Sequence, residues 1–121
     1  MSKKIMLVDD VPIANFIMKK MIQKVAPHYQ ITDFESPDKA ITSLEQLNPD
    51  LIFLDLNMPS INGWRFLELM DEHKLENKVY ILTSSTSELD VQQSKQYKNV
   101  SGFLIKPLTI KNLPDILKVI D

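Results

Sequence analysis

Ile5, Met6, Leu7 and Val8 form an unbroken apolar run that stops at Asp9 and Asp10. A run this short, with no polar alternation, is the pattern of a strand buried on both faces. Pro12 suits the first turn of a helix, and Ile13, Phe16, Ile17 and Met21 then recur near the 3.6-residue period until Pro27 closes the segment. That stripe is expected to be the face the first helix lays on a sheet. Ile31 and Phe34 mark a second short strand. Ser36-Pro37 supplies an N-cap followed by Pro at the first helical position, and Ala40, Ile41, Leu44 and Leu47 form the stripe of the second helix.

After the Asn48-Pro49 turn, Leu51, Ile52, Phe53 and Leu54 make the most apolar run of the chain, again ending on an acid, Asp55. This run is expected to be the central strand. A loop through Met58-Pro59-Ser60 and Asn62-Gly63 leads to a third helix, which can turn either Trp64, Leu67 and Met70 or Phe66 and Leu69 inward. A fourth strand, Val79 to Leu82, ends at Thr83. Ser87-Glu88-Leu89-Asp90 looks like a helix start close to a capping box, with Ser87 as cap, but the helix that follows, Val91 to Tyr97, is largely polar. Gly102 to Ile105 is a fifth strand ending at Lys106-Pro107. Leu113, Ile116, Leu117 and Ile120 mark a last helix. Pro114 would sit too deep in a helix begun at Thr109, so this helix starts near Asn112 or has a distorted first turn.

Five strand–helix alternations call for an α/β fold, a parallel sheet with helices on both faces joined by right-handed crossovers. The 121 residues, 44% of them hydrophobic, suit one domain over residues 1–121. A net charge of −2 leaves no basic surface for direct nucleic-acid binding. Absent Cys rules out disulfides, thiol catalysis and thiolate metal sites. No apolar run approaches the ~20 residues that span a bilayer, and the start MSKKIMLVDD turns acidic too soon for a secretory signal, so a cytoplasmic protein with no membrane contact is expected.

Ligands of open parallel sheets bind outside the carboxyl ends of the strands. Here those ends carry Asp9 and Asp10, Asp55, Thr83 and Lys106. Each has an ordinary alternative as a turn, a cap or a surface charge. Three carboxylates, a hydroxyl and an ammonium at the ends of four different strands, however, form a pattern that chance seldom assembles. Crowded carboxylates repel one another and invite a hard divalent cation. Mg2+ suits them, since it takes oxygen ligands and is often shared with a phosphate. Asp55 would then be a nucleophile towards phosphorus, with the cation and Lys106 stabilising charge on the transferred group.

The sequence resembles the receiver domain of bacterial two-component response regulators over essentially its whole length. The motifs are VDD at 8–10, LDLNMP at 54–59, Asn62-Gly63, LTSS at 82–85, and Phe103 followed by Leu104-Ile105-Lys106-Pro107. The resemblance implies a flavodoxin-like, doubly wound five-stranded parallel sheet of order 2-1-3-4-5 with five helices. It makes Asp55 the phosphoacceptor and Asp9, Asp10, Asp55 and the backbone carbonyl of Asn57 the Mg2+ ligands. It assigns Thr83 and Phe103 as switch residues, Lys106 as ion-pair partner of the phosphoryl oxygens, and a cis bond to Lys106-Pro107. The implied partners are a sensor histidine kinase or histidine phosphotransfer protein and a downstream protein target. The implied catalysis is limited to self-phosphorylation and slow autodephosphorylation. Val11 and Ser84 depart from common family residues without removing a required group, and Pro114 is unusual in the last helix.

Two other functions compete. A magnesium-dependent phosphohydrolase with an aspartyl-phosphate would place an acid two residues after the nucleophile, where this chain has Asn57, whose amide cannot shuttle a proton. A docking pseudo-receiver that is never phosphorylated would not need Asp9, Asp10, Asp55, Thr83 and Lys106 intact. His28 and His73 have no ligand spacing and are expected on the solvated surface. Trp64 is expected to serve packing.

Overall fold

Strand β1, Lys4–Val8, buries Ile5, Met6, Leu7 and Val8 on alternating sides, as an uninterrupted apolar run in a doubly covered sheet must. The computed structural model describes residues 3–58 and 61–120; Pro59 and Ser60, read above as part of the loop after the central strand, lie outside them. In chain order the remaining elements are α1 (Pro12–Val25), β2 (Gln30–Phe34), α2 (Pro37–Leu47), β3 (Leu51–Leu54), α3 (Gly63–Glu72), β4 (Lys78–Thr83), α4 (Glu88–Ser94), β5 (Val100–Ile105) and α5 (Leu113–Leu117), with a 3-10 turn over Lys118–Ile120.

The strands are parallel in the order β2-β1-β3-β4-β5, so the chain reverses direction across the sheet between β1 and β3. One face buries Met6, Val8, Ile52 and Leu54 against α2 and α3; the other buries Ile5, Leu7, Leu51 and Phe53 against α1 and α5. Helix α3 turns Phe66, Leu67 and Met70 inward, a mixture of the two alternatives, and leaves Trp64 half-buried and stacked on Tyr97 at 5.9 Å. Helix α5 begins after Asn112, which puts Pro114 in its first turn, where a missing N–H costs little. No helix among the described residues is long and apolar enough to cross a membrane.

Two expectations need correction. Helix α1 does not lay Ile13, Phe16 and Ile17 on the sheet: they are 59%, 55% and 51% exposed, and Asn15, Met18 and Ile22 are buried instead. The rotation follows from Asn15. Its side-chain amide donates to the Asp9 carbonyl at 3.0 Å and, as a second donor beside the Asp9 N–H, to the Phe34 carbonyl at 3.2 Å, tying the helix to the ends of β1 and β2. The second correction concerns α4. Ser87 occupies the N-cap position but its side chain makes no capping bond; the Asp90 carboxylate accepts from the Ser85 hydroxyl at 2.6 Å.

Candidate functional site

The carboxyl ends of β1 and β3 flank the point where the strand order reverses, and there Asp9 and Asp55 are buried side by side. The sheet itself sets their height. The Asp9 N–H donates to the Phe34 carbonyl at 3.1 Å and the Asp55 N–H to the Val8 carbonyl at 3.0 Å, extending the parallel ladders by one residue. Asp10 is half-buried. One carboxylate oxygen from each of Asp9, Asp10 and Asp55 lies within 4.8 Å of the others, a spacing that fits a shared cation.

Lys106 leaves the end of β5 through a backbone bond from its N–H to the Thr83 carbonyl at 2.7 Å. Its ammonium donates to Asp9 Oδ2 at 2.7 Å and stands 3.9 Å from Asp55 Oδ2. Asp9 Oδ1 accepts from the Val11 N–H at 3.0 Å and Asp55 Oδ1 from the Asn57 N–H at 3.3 Å. Burial pushes the Asp55 pKa above the ordinary carboxylate value. Lys106 and the Asn57 N–H pull it down, Asp9 and Asp10 push it up, and the net shift is upward.

The loop after β3 closes tightly. The Gly63 N–H donates to the Leu56 carbonyl at 2.9 Å, and a Cβ on Gly63 would lie 2.8 Å from Leu56 Cα and 2.9 Å from the Asp55 carbonyl oxygen, so glycine is required at this approach. Asn62 caps α3, its Oδ1 accepting from the Arg65 N–H at 3.0 Å. The Lys106–Pro107 peptide is cis. Beyond Lys106, Pro107 and Leu108 face Ile17, Met18 and Met21 of α1 across a cleft of about 240 Å³ that opens beside Asp9 and Asp55.

An alignment of acids, hydroxyl and lysine at strand ends is matched by kinship: the family model described as the response regulator receiver domain fits residues 5–118. The chain belongs to this family. Along 90% of its length this receiver is 30% identical to the nitrate/nitrite response regulator protein NarL of Escherichia coli, of which it spans 50%. A two component response regulator from Cytophaga hutchinsonii is 29% identical, with a TM-score of 0.88 over 98% of this receiver and 96% of that chain. The fold is also that of the response regulator protein TrrA from Thermotoga maritima, solved in complex with Mg(2+)-BeF, at a TM-score of 0.82 and 24% identity over 98% of this receiver and 99% of that chain. The receiver thus spans about half the length of the curated regulator it matches.

Of the residues singled out from the sequence, Asp9, Asp10, Asp55 and Lys106 converge on one site, and Asn57 borders it through its N–H. Thr83 is fully buried at the end of β4, its Oγ1 accepting from the Ser85 N–H at 3.2 Å. Phe103 stands apart from the acids. It pairs across the sheet with Ile81 and packs, half-buried, into the core on the α2 and α3 side. His28 and His73 are both exposed. Sequence reasoning missed Asn15, which fastens Asp9; the available signal was a second helical stripe, Asn15-Met18-Ile22, with a polar residue at its head. It also missed Ser85 and Asp90, for which local sequence favoured an ordinary cap.

Proposed function

We propose that this receiver accepts a phosphoryl group on Asp55 from the histidine of a sensor histidine kinase or histidine phosphotransfer protein, with Mg2+ held by Asp9, Asp10, Asp55 and the Asn57 carbonyl. The observation that carries this reading is the enclosure of Asp55, buried between two other carboxylates and the Lys106 ammonium. Asp9 and Lys106 already form a neutral pair, so Asp10 and Asp55 leave an excess of negative charge that suits a divalent ion. When bound, Mg2+ would supply charge neutralisation for phosphoryl oxygens approaching the carboxylates.

The chain's own groups cover the remaining needs. Asp55 must be ionised to attack phosphorus, and the Asn57 N–H and the Lys106 ammonium both favour that form. As the Asp55 oxygen bonds to phosphorus and the donor's P–N bond breaks, Lys106 can swing its ammonium from Asp9 to the phosphoryl oxygens. Thr83 has one lone pair engaged by the Ser85 N–H, which leaves its own proton to donate. Exposed Val11, Ile13, Phe16 and Ile17 lie beside the site and offer a docking face to a macromolecular donor.

On the output side, α4 buries only Ser94 and leaves Leu89 77% exposed, so the α4 and β5 face is weakly anchored and suited to shift on phosphorylation and to meet a downstream target. Phe103, with no hydroxyl to satisfy, would move by packing alone. Incubation with acetyl phosphate and intact-mass measurement tests the assignment. One phosphoryl adduct is expected on the wild type in Mg2+, with none in chelator and none on Asp55→Asn. Equal labelling of both proteins overturns it.

A further inference from the structure

Three bonds tie Thr83 to the start of α4, and none of them belongs to the acidic cluster. Thr83 Oγ1 accepts from the Ser85 N–H at 3.2 Å. The Ser85 hydroxyl donates to Asp90 Oδ2 at 2.6 Å and accepts from the Ser87 N–H at 3.2 Å. The hydroxyl-to-carboxylate distance is that of a charge-assisted bond, the strong kind. Asp90 sits three residues after the N-cap, where its carboxylate would ordinarily turn back to the cap's own N–H. Here it holds Ser85 instead, and Ser87 makes no side-chain cap. The loop between β4 and α4 is therefore clamped at Ser85 from both sides, and Thr83 is drawn towards the clamp.

We propose that Ser85 and Asp90 are positioning residues that form a latch on Thr83, holding its hydroxyl on the loop and opposing its movement to a phosphoryl group on Asp55. This inference rests on the phosphoacceptor reading and specifies how the site is regulated. A phosphoryl oxygen that attracts the Thr83 hydroxyl must stretch the bond from the Ser85 N–H, and Ser85 cannot follow while Asp90 and Ser87 hold its hydroxyl. Removing the Ser85 hydroxyl keeps the backbone N–H but frees the loop to move with Thr83. Removing the Asp90 carboxylate takes away the shorter of the two bonds on that hydroxyl and leaves only the Ser87 N–H. Because Asp90 acts on the loop through the Ser85 hydroxyl, its removal adds nothing once that hydroxyl is gone.

The test is titration of wild type, Ser85→Ala, Asp90→Ala and the double variant with beryllofluoride in saturating Mg2+, followed by amide exchange and Trp64 fluorescence. Both single variants are expected to bind beryllofluoride about fivefold more tightly, the factor implied by one hydrogen bond of typical net worth, and the double variant no more tightly than either. Mg2+ affinity without beryllofluoride is expected to stay unchanged, and Asp90→Asn, which keeps an acceptor, should fall between wild type and Asp90→Ala. A purely structural role would lower the melting temperature without tightening binding. Unchanged or weaker binding in the single variants, or additive effects in the double, overturns the latch while the wild-type response stands. A wild type that does not respond overturns the phosphoacceptor reading and the latch with it.

Discussion

The Lys106 ammonium is bonded to Asp9 at 2.7 Å, while Asp55 stands 3.9 Å from it. Lysine and a cation would therefore compete for the Asp9 carboxylate, and in the proposed reaction Lys106 would loosen this pair to engage a phosphoryl group. Lys106→Ala is expected to bind Mg2+ about two- to fivefold more tightly, the scale of a partly exposed ion pair removed. The same variant should lose most of its response to beryllofluoride. Fluorescence titration against both ligands checks this; weaker Mg2+ binding would show that Lys106 organises the acids rather than repelling the ion.

The raised pKa of Asp55 has a consequence for stability. Between the ordinary carboxylate pKa of the unfolded chain and the higher pKa of the fold, the native state keeps a proton that the unfolded state has released. Stability contributed by this group therefore falls as pH rises through that window and stays lower above it. Asp55→Asn has no such ionisation and preserves the side chain's shape. It is expected to be more stable than wild type at neutral pH, with the difference shrinking as pH falls through the window. Urea melts across the acid range give the comparison, and Mg2+ should narrow the gap at neutral pH by favouring ionised Asp55.

The rotation of α1 separates its two apolar sets. Phe16, 55% exposed with the Lys20 ammonium 5.5 Å above its ring, can be replaced by Ala at a cost within ~0.5 kcal/mol, whereas Ile22→Ala should cost about 2–5 kcal/mol. Phosphorylation by acetyl phosphate should be the same in Phe16→Ala and wild type. Phosphotransfer from a histidine kinase should slow in the variant if the exposed face receives the donor. Equal rates from the protein donor would move the docking face elsewhere.

Much of the fold was legible because apolar runs of four residues, bounded by acids and turns, have few uses other than doubly covered strands. Ile5 to Val8 and Leu51 to Leu54 lie where the pattern puts them, and their terminal acids share one sheet edge because parallel strands end on the same side. Pro114 narrowed the start of α5 to two possibilities, a start near Asn112 or a distorted first turn, and the helix takes the first. Local pattern failed where a polar group had to answer to another element. Helix α1 carries two stripes of comparable period, and the buried one sets Asn15 against the Asp9 and Phe34 carbonyls. Those acceptors exist only once β1 and β2 are side by side. The pairing of Lys106 with Asp9, 97 positions apart, depends in the same way on strand ends brought together by the assembled sheet, whereas the diversion of Asp90 from its cap to Ser85, five positions away, turns on the path of one loop. Side-chain periodicity along the chain determined the elements and the edge on which the chemistry gathers. Which donor meets which acceptor was decided by the tertiary structure, because a hydrogen bond depends on angstrom-scale geometry that no one-dimensional period encodes.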